Sequence, residues 1–452
     1  MELQGKNVLV VGLGKTGEAL CRFLLARGAR VTVVDKQPAE ALGRKIERWR
    51  ERGVTVAAGR QDRVYFLKAD LIIPSPGVPP IPEMETARAK GIAVLSELEL
   101  ASRFLRGTVV GITGSNGKST TTTLAHKILK DAGRRAFLAG NICTPLISFA
   151  DRSRADDVFV TEISSFQLTY TQTFKPAVAA ILNISINHID WHGTFEHYLE
   201  AKTKILRNQD AGDAAILNRD DPRVWALRRT GPFQTFGFSR RYRPARGISV
   251  RNGSLVLTDG PTRKLMRTSE IPLPGAHNWE NVMAAALIGR RLGVPLPLIK
   301  KSVKGFRGLE HRLERVLTLK GVTFVNDSKA TTVDATIKAL ESFGQKVVVI
   351  LGGKDKGADF TLLRRPMRGR VKRVILVGQA KDKIRAALAG YAPLEEAAGL
   401  RQAVRSGFES AARGEIVLLA PACASFDMFK DYEDRGRAFK KEVRRLAERM
   451  KD

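Results

Sequence analysis

Thr108-Val109-Val110-Gly111-Ile112-Thr113-Gly114-Ser115-Asn116-Gly117-Lys118-Ser119-Thr120 joins an apolar run to a glycine-rich turn, and a helix-forming run follows from Thr121 to Leu129. The order is strand, loop, helix. Glycine lets backbone approach an anion, so the loop N–H groups and the helix N-terminus can surround a phosphate. Gly114, Ser115, Asn116, Gly117, Lys118, Ser119 and Thr120 would form that cradle, with Lys118 on the β- and γ-phosphates of ATP and Ser119 on Mg²⁺. The long form of the motif has glycine where Ile112 stands, so the loop fits only the shorter GxxGK[ST] form. The bland alternative is an ordinary βα turn with a solvated lysine.

Around this stretch the chain has room for about three domains of ~150 residues. It has 452 residues, 43% of them hydrophobic, a composition that supports packed cores. No apolar run approaches the ~18 residues a membrane helix requires, and the N-terminus carries no charged-then-apolar signal segment. Cys21, Cys143 and Cys423 form neither a disulfide framework nor a CxxC pair. The expectation is a soluble, reduced, cytoplasmic protein, a monomer with no membrane partner. The net charge of +30 favours anions: nucleic acid, a multiply anionic substrate, or a surface merely biased towards Arg and Lys. The basic residues are dispersed and no nucleic-acid-binding signature accompanies them, so no obligate nucleic acid is expected.

Upstream, Lys6–Val11 reads as a buried strand, followed by Gly12-Leu13-Gly14-Lys15-Thr16-Gly17, an amphipathic run to Ala26 and a strand Val31–Val34 ending at Asp35. This is GxGxxG with an acid about twenty residues on, the dinucleotide fingerprint. An NAD cofactor fits it, and so does the pyrophosphate of a substrate. Another strand, Asp70–Ile73, runs into Ser75-Pro76-Gly77, either a ligand-facing turn or a plain Pro-Gly turn. Ser96–Arg106 reads as a helix leading into the second block.

Downstream come Gly140-Asn141-Ile142 and a strand Val158–Glu162, whose terminal carboxylate is placed to ligate Mg²⁺ or to act as a cap. The strand Ala177–Leu182 precedes His188-Ile189-Asp190-Trp191-His192. HxDxH on a loop raises zinc, but no HExxH helix or cysteine partner accompanies it. Thr194–Leu206 reads as a helix whose Lys202 and Lys204 are solvated by residue type. Hairpin alternation surrounds Asn252-Gly253, and Leu273–Trp279 opens a helix through Leu292, near whose start Asn278 reads as only a cap. Beyond Gly305–Glu314 the βα alternation restarts, with strands running into Asn326–Thr331, Gly352–Gly357, Gly378 and Pro421–Asp427. The fold class is therefore α/β in three blocks: a Rossmann-like domain over 1–96, a P-loop ATPase-like domain with a mostly parallel sheet over 97–308, and a second Rossmann-like domain over 309–452.

Gly114–Thr120, Glu162 with Ser164-Ser165-Phe166-Gln167, His188–His192, Leu273-Pro-Gly-Ala-His-Asn278, Glu310-His-Arg312, Asn326–Thr331 and Pro421–Asp427 together resemble the Mur ligases over essentially the whole chain. The last two motifs resemble the D-glutamate-adding branch, and the Asp-Asn-Pro-Arg motif of the diaminopimelate-adding branch is absent. The resemblance implies a ligase of peptidoglycan precursor synthesis. ATP phosphorylates the alanine carboxylate of UDP-N-acetylmuramoyl-L-alanine, and the amine of D-glutamate displaces the phosphate. It implies Lys118 on the γ-phosphate, Ser119 and Glu162 on one Mg²⁺, and His188 with a carbamylated Lys202 on a second. Asn278, Arg312 and Asp327 fall at ATP contacts. Lys329, Thr331, Lys356, Ser425 and Phe426 fall at the D-glutamate end. Gly14, Lys15, Thr16, Asp35, Lys36, Ser75, Gly77 and Asn141 fall where the UDP substrate is held, so the first glycine loop would bind UDP and not NAD. Two positions depart from the family pattern: Gln37 stands where an Arg is frequent, and Asn187 where an Asp precedes the metal-site His. The other readings are a Mur-type ligase for another amino acid such as L-glutamate, an NAD-dependent oxidoreductase, and a nucleic-acid-binding ATPase.

Overall fold

Runs of Val, Ile, Leu and Ala without alternation make strands that must be covered on both faces, and helices between them force parallel pairing. The computed structural model describes residues 1–450 and contains three such sheets. The first holds β1 (Asn7–Val11), β2 (Arg30–Asp35), β3 (Thr55–Ala58), β4 (Leu71–Pro74) and β5 (Ala93–Val94), all parallel in the order β3-β2-β1-β4-β5.

The central sheet holds β6 (Thr108–Thr113), β7 (Ala136–Gly140), β8 (Val158–Glu162), β9 (Val178–Ile181), β10 (Ala214–Asn218), β11 (Gln234–Ser239), β12 (Gly247–Arg251), β13 (Ser254–Leu257) and β14 (Arg263–Arg267). Its order is β14-β13-β12-β11-β10-β9-β6-β8-β7, parallel except for the ribbon β12–β14. The hairpin expected around Asn252-Gly253 is the β12–β13 turn.

The third sheet holds β15 (Glu314–Leu319), β16 (Val322–Asn326), β17 (Val347–Gly352), β18 (Val371–Val377), β19 (Leu394–Glu396) and β20 (Ile416–Leu419), in the order β15-β16-β20-β17-β18-β19 with only β15 antiparallel.

The described chain forms two compact units, one of Met1–Glu270 with Trp279–Gly305, the other of Ile271–Asn278 with Phe306 onward. The first two sheets share the first unit. One apolar core runs from Leu20 and Val33 through Leu98 and Leu100 of the linking helix Glu97–Ser102 to Ile147 and Phe159. The link is also polar. Glu99 is buried, and its carboxylate accepts the N–H groups of Gln172, Thr173 and Phe174 and the Thr173 hydroxyl, with Arg103 alongside. Burial alone would raise its pKa; these donors, led by Thr173, more than offset that and hold it below the ordinary range. The third sheet has a core on each face, one around Val349, Leu376 and Leu418, the other around Phe324, Val404 and Phe439.

The helix expected over Thr194–Leu206 is α-helical over Phe195–Thr203 and closes in a 3₁₀ turn, Lys204–Leu206. Asp221 caps a short helix, Pro222–Ala226, accepting the Arg223 and Val224 N–H groups. No helix among the described residues is long and apolar enough to cross a membrane.

Candidate active site

In the central sheet the strand order reverses beside β6, so the loop after Thr113 opens at the crevice where open α/β sheets bind ligands. Gly117 caps helix Lys118–Asp131 with φ +83°, and a Cβ there would run into Asn281 Oδ1, so only glycine fits. The loop is clamped from the end of β9. Asn183 O accepts the Ser115 N–H (2.9 Å), Asn183 Oδ1 accepts the Asn116 N–H (2.8 Å), and Asn183 Nδ2 donates to Asn116 O (3.1 Å). Ser115 Oγ, 2.8 Å from the Tyr198 hydroxyl, accepts the Ser185 N–H.

Lys118 Nζ donates to Gly114 O (2.9 Å) and Ser115 O (3.1 Å). Gly114 O also receives Lys202 Nζ at 3.1 Å, with Thr113 Oγ1 3.4 Å from the same ammonium. Lys202 is therefore not the solvated helix lysine its residue type predicts; it is 2% exposed. Burial first, and the charge of Lys118 second, push its pKa well below the usual lysine value, against the pull of Glu162.

Glu162 ends β8, in register with Ile112 of β6 and Gly140 of β7. It is buried; Oε1 accepts Asn141 Nδ2 at 2.9 Å, while Oε2 has no hydrogen-bond partner among the described residues. A buried carboxylate oxygen without a donor is costly unless a cation meets it. With the buried Ser119 of the neighbouring loop, this donor set fits Mg²⁺, which takes few protein ligands and fills its shell with water and phosphate oxygens. No group of three or more His, Cys, Asp or Glu that could hold a metal occurs among the described residues. His188 is exposed, in the left-handed region (φ +54°), capping the short helix Ile189–His192, with its ring 4.9 Å from that of Phe166. His192 points elsewhere, to Ser165 Oγ at 2.9 Å. The side chain of Asp190 lies outside the described residues.

In the first sheet the order reverses between β1 and β4, which brings the two expected substrate loops together: Ser75 Oγ donates to Gly12 O at 3.1 Å. Gly17 is pressed against the Gly12 carbonyl with no room for a side chain. Asp35 uses both oxygens on backbone, accepting the Leu13 N–H (2.7 Å) and the Gln37 N–H (2.9 Å). It therefore shapes the loop. Gly14, Lys15, Lys36 and Gly77 are exposed around it and Thr16 half-buried. Trp191 Nε1 donates to Val78 O at 3.3 Å, joining this crevice to the His188 segment.

In the second unit three loops meet at the strand C-termini. Ala422 N–H donates to Ala330 O (2.9 Å), and Lys354 and Ala424 exchange backbone bonds, so the segments of Thr331, Lys356 and Ser425 adjoin. The Lys329 ammonium sits 3.8 Å from the centroid of the Tyr432 ring. Ser425 is buried, whereas Phe426 is 63% exposed. Asn278 Nδ2 donates to Pro274 O at 2.6 Å, a role in its own turn. Sequence reasoning passed over Tyr432 and Arg435. The Arg435 guanidinium is fully buried and donates to Ser328, Cys423 and Ala424, which sets the loops on either side of Lys329 and Ser425.

Asp327 is buried, and burial raises its carboxyl from 3.8 to about 7, against the Leu313 N–H and the charge of exposed Arg312. The folded state therefore holds this proton more tightly than the unfolded chain. Its contribution to stability is full below pH ~4 and declines as pH rises to about 7, by about 1.4 kcal/mol per pH unit. Urea unfolding of Asp327→Asn between pH 5 and 7 should lack this fall; an unchanged slope would mean that Asp327 is ionised in the fold.

Three family models match along the chain: Mur ligase MurD-like, N-terminal domain, over residues 6–96; Mur ligase middle domain over 112–289; and Mur ligase, glutamate ligase domain, over 311–423. The chain belongs to the Mur ligase family. It is 47% identical over 453 residues to the UDP-N-acetylmuramoylalanine--D-glutamate ligase of Koribacter versatilis, covering 100% of both chains. It is 48% identical over 444 residues to the enzyme of that name from Acidobacterium capsulatum, covering 97% of this chain and 96% of the relative. Among solved structures, the UDP-N-acetylmuramate-alanine ligase of Thermotoga maritima superposes with a TM-score of 0.60 at 17% identity, over 98% of this chain and 100% of the other. The MurF ligase of the same organism, solved with ADP, gives 0.59 at 18%, over 99% and 97%. At these identities the two structures bear on the fold alone.

Proposed function

We propose that this Mur ligase joins D-glutamate to UDP-N-acetylmuramoyl-L-alanine at the expense of ATP, through an acyl phosphate, with release of ADP and phosphate. The observation that carries the chemistry is the convergence of Lys118, Lys202 and the unpartnered Glu162 oxygen on one end of β6. The relatives' names, matched over full length, support D-glutamate as the amino acid.

A carboxylate is a poor electrophile, and phosphorylation supplies a leaving group. The alanine carboxylate attacks the γ-phosphorus of ATP while ADP leaves; the amine of D-glutamate then attacks the acyl carbon while phosphate leaves. Lys118 and the loop N–H groups of Gly114–Thr120 hold the transferring phosphoryl and meet its charge. Ser119 and Glu162 would hold one Mg²⁺, and His188 with a carbamylated Lys202 a second; bound there, Mg²⁺ neutralises charge on the phosphoryl oxygens. Asn278, Arg312 and Asp327 bind the nucleotide. Lys329, Thr331, Lys356 and Ser425 hold D-glutamate, with Tyr432 bracing Lys329. Phe426 joins them only on its exposed face. The crevice of Gly14, Lys15, Thr16, Lys36, Ser75 and Gly77 takes the UDP substrate, with Asp35 shaping its loop and Asn141 orienting Glu162. Because both Asp35 oxygens are engaged by backbone, the acid is less suited to a nicotinamide dinucleotide's ribose.

The test is phosphate release with ATP, Mg²⁺ and UDP-N-acetylmuramoyl-L-alanine, adding D-glutamate, L-glutamate, L-lysine or meso-diaminopimelate in turn. Turnover with D-glutamate alone is expected. Turnover with another of these would reassign the amino acid, and release that depends on nucleic acid would overturn the ligase reading.

A further inference from the structure

Glu97 is buried in the helix that links the first two sheets, yet the reaction as described gives it no part. It is 1% exposed. Its Oε1 accepts the Ile147 N–H at 2.6 Å, and its Oε2 has no hydrogen-bond partner among the described residues. It shares a small cavity with Ser75, Val78, Gln167 and Trp191. A buried carboxyl is expensive to keep, and a hydrophobic residue of its size would fill the same space at less cost. Something other than packing accounts for it.

Its neighbours lead to the candidate metal carboxylate from both sides. Ile147 follows the loop of Asn141, whose side chain donates to Glu162 Oε1 and whose N–H donates to Glu162 O. Gln167 lies across the cavity. Its Oε1 accepts the Ser164 N–H and hydroxyl, closing a capping box two residues beyond Glu162. The Gln167 side chain is also near enough to Glu97 to counter part of the effect of burial on it. Ser75, on the wall of the same cavity, is the residue that ties the UDP-side turn to Gly12. One carboxyl thus touches or faces the two segments that hold Glu162 and the turn that faces the substrate.

We propose that Glu97 is a positioning residue that sets Glu162 and the Ser75–Gly77 turn in mutual register by bracing Ile147 on one side and Gln167 on the other. The inference rests on the ligase reading for its kinetic consequence but not for its structural one. With the brace removed, Glu162 and the sugar-nucleotide turn drift while the phosphate loop, clamped separately by Asn183, stays in place.

Two variants test this, each followed by steady-state kinetics and by hydrogen exchange of the free protein. Glu97→Gln keeps an acceptor for Ile147 and should retain kcat within about threefold. Glu97→Leu should lower kcat/KM for the UDP substrate by about 10²-fold, the cost of misplacement on the order of 1 Å, with KM for ATP little changed. It should also speed exchange at 141–147 and 163–168. If Glu97→Leu does not fold, Gln167→Met cuts the same brace from its other end and should give the same split between the two substrates. A folded Glu97→Leu or Gln167→Met with wild-type kinetics overturns the proposal, as does equal damage from Glu97→Gln. Should the wild type lack ligase activity, the function above fails instead, and unaltered exchange in Glu97→Leu still overturns the brace.

Discussion

Lys118→Ala should lower kcat by about 10³-fold or more while the protein stays folded, the scale expected when a preorganised cation is taken from a developing charge. The Lys118 ammonium is folded onto its own loop, donating to Gly114 O and Ser115 O. Both acceptors lie within four residues of it, so these bonds hold the side chain over its own loop. Their loss costs about 1 kcal/mol each, and Gly114 O keeps a second donor in Lys202. The left-handed Gly117 stands at the helix start and has no side-chain cap, and the backbone there is untouched by the substitution. The unfolding midpoint should therefore move by only a few degrees. Phosphate release and thermal melts on one preparation decide the matter. A variant with most of its kcat means the loop does not serve phosphoryl transfer; one that melts far below wild type means the loss of rate reports the fold.

What the sequence showed well was what local spacing dictates. The continuous apolar runs of β1, β6, β8 and β17, each breaking into small or polar residues, required a parallel sheet with ligand loops at its C-terminal ends. Residue type misled where spacing would have served. Tyr198, Ala201, Lys202 and Ile205 are buried together at i, i+3, i+4 and i+7, so Lys202 stands on the core stripe of its helix. Arg435 shares a stripe with Phe439 and Val443 in the final helix, Tyr432–Arg449. A charged residue on an apolar stripe is a buried charge in waiting, and it must have partners. No spacing could supply those partners. The acceptors of Arg435 come from loops around positions 328 and 423, and the backbone donors to Glu99 lie more than seventy residues away. The sharing of one core by the first two sheets is likewise a property of the packed chain. The net charge of +30 favours anions near the surface, an effect that should fade with added salt. Nothing in the fold accounts for its size.

Lys202 carries the second large effect, and its environment argues for what form the side chain takes in turnover. Two lysines, Lys118 and the buried Lys202, share the carbonyl of Gly114, and Lys202 also feels the opposite charge of Glu162. As an ammonium, Lys202 is opposed by burial and by Lys118. As a neutral amine it escapes both, and a neutral amine is what carbon dioxide requires. The nitrogen lone pair forms the N–C bond, one C=O π pair moves to oxygen, and the amine proton leaves to solvent. The resulting carbamate is an anion, so the repulsion by Lys118 becomes attraction, and it can join His188 as an oxygen ligand for Mg²⁺. Lys202→Met, close in size, should keep the fold and lose about 10²-fold or more in rate. Wild type in buffer stripped of carbon dioxide should lose rate and regain it with bicarbonate, and Lys202→Met should respond to neither. If stripping leaves the wild-type rate unchanged while Lys202→Met is still slow, Lys202 works as an amine or ammonium on the phosphate loop. A variant near the wild-type rate would leave the lysine with a structural part only, and the second metal position would then need another ligand.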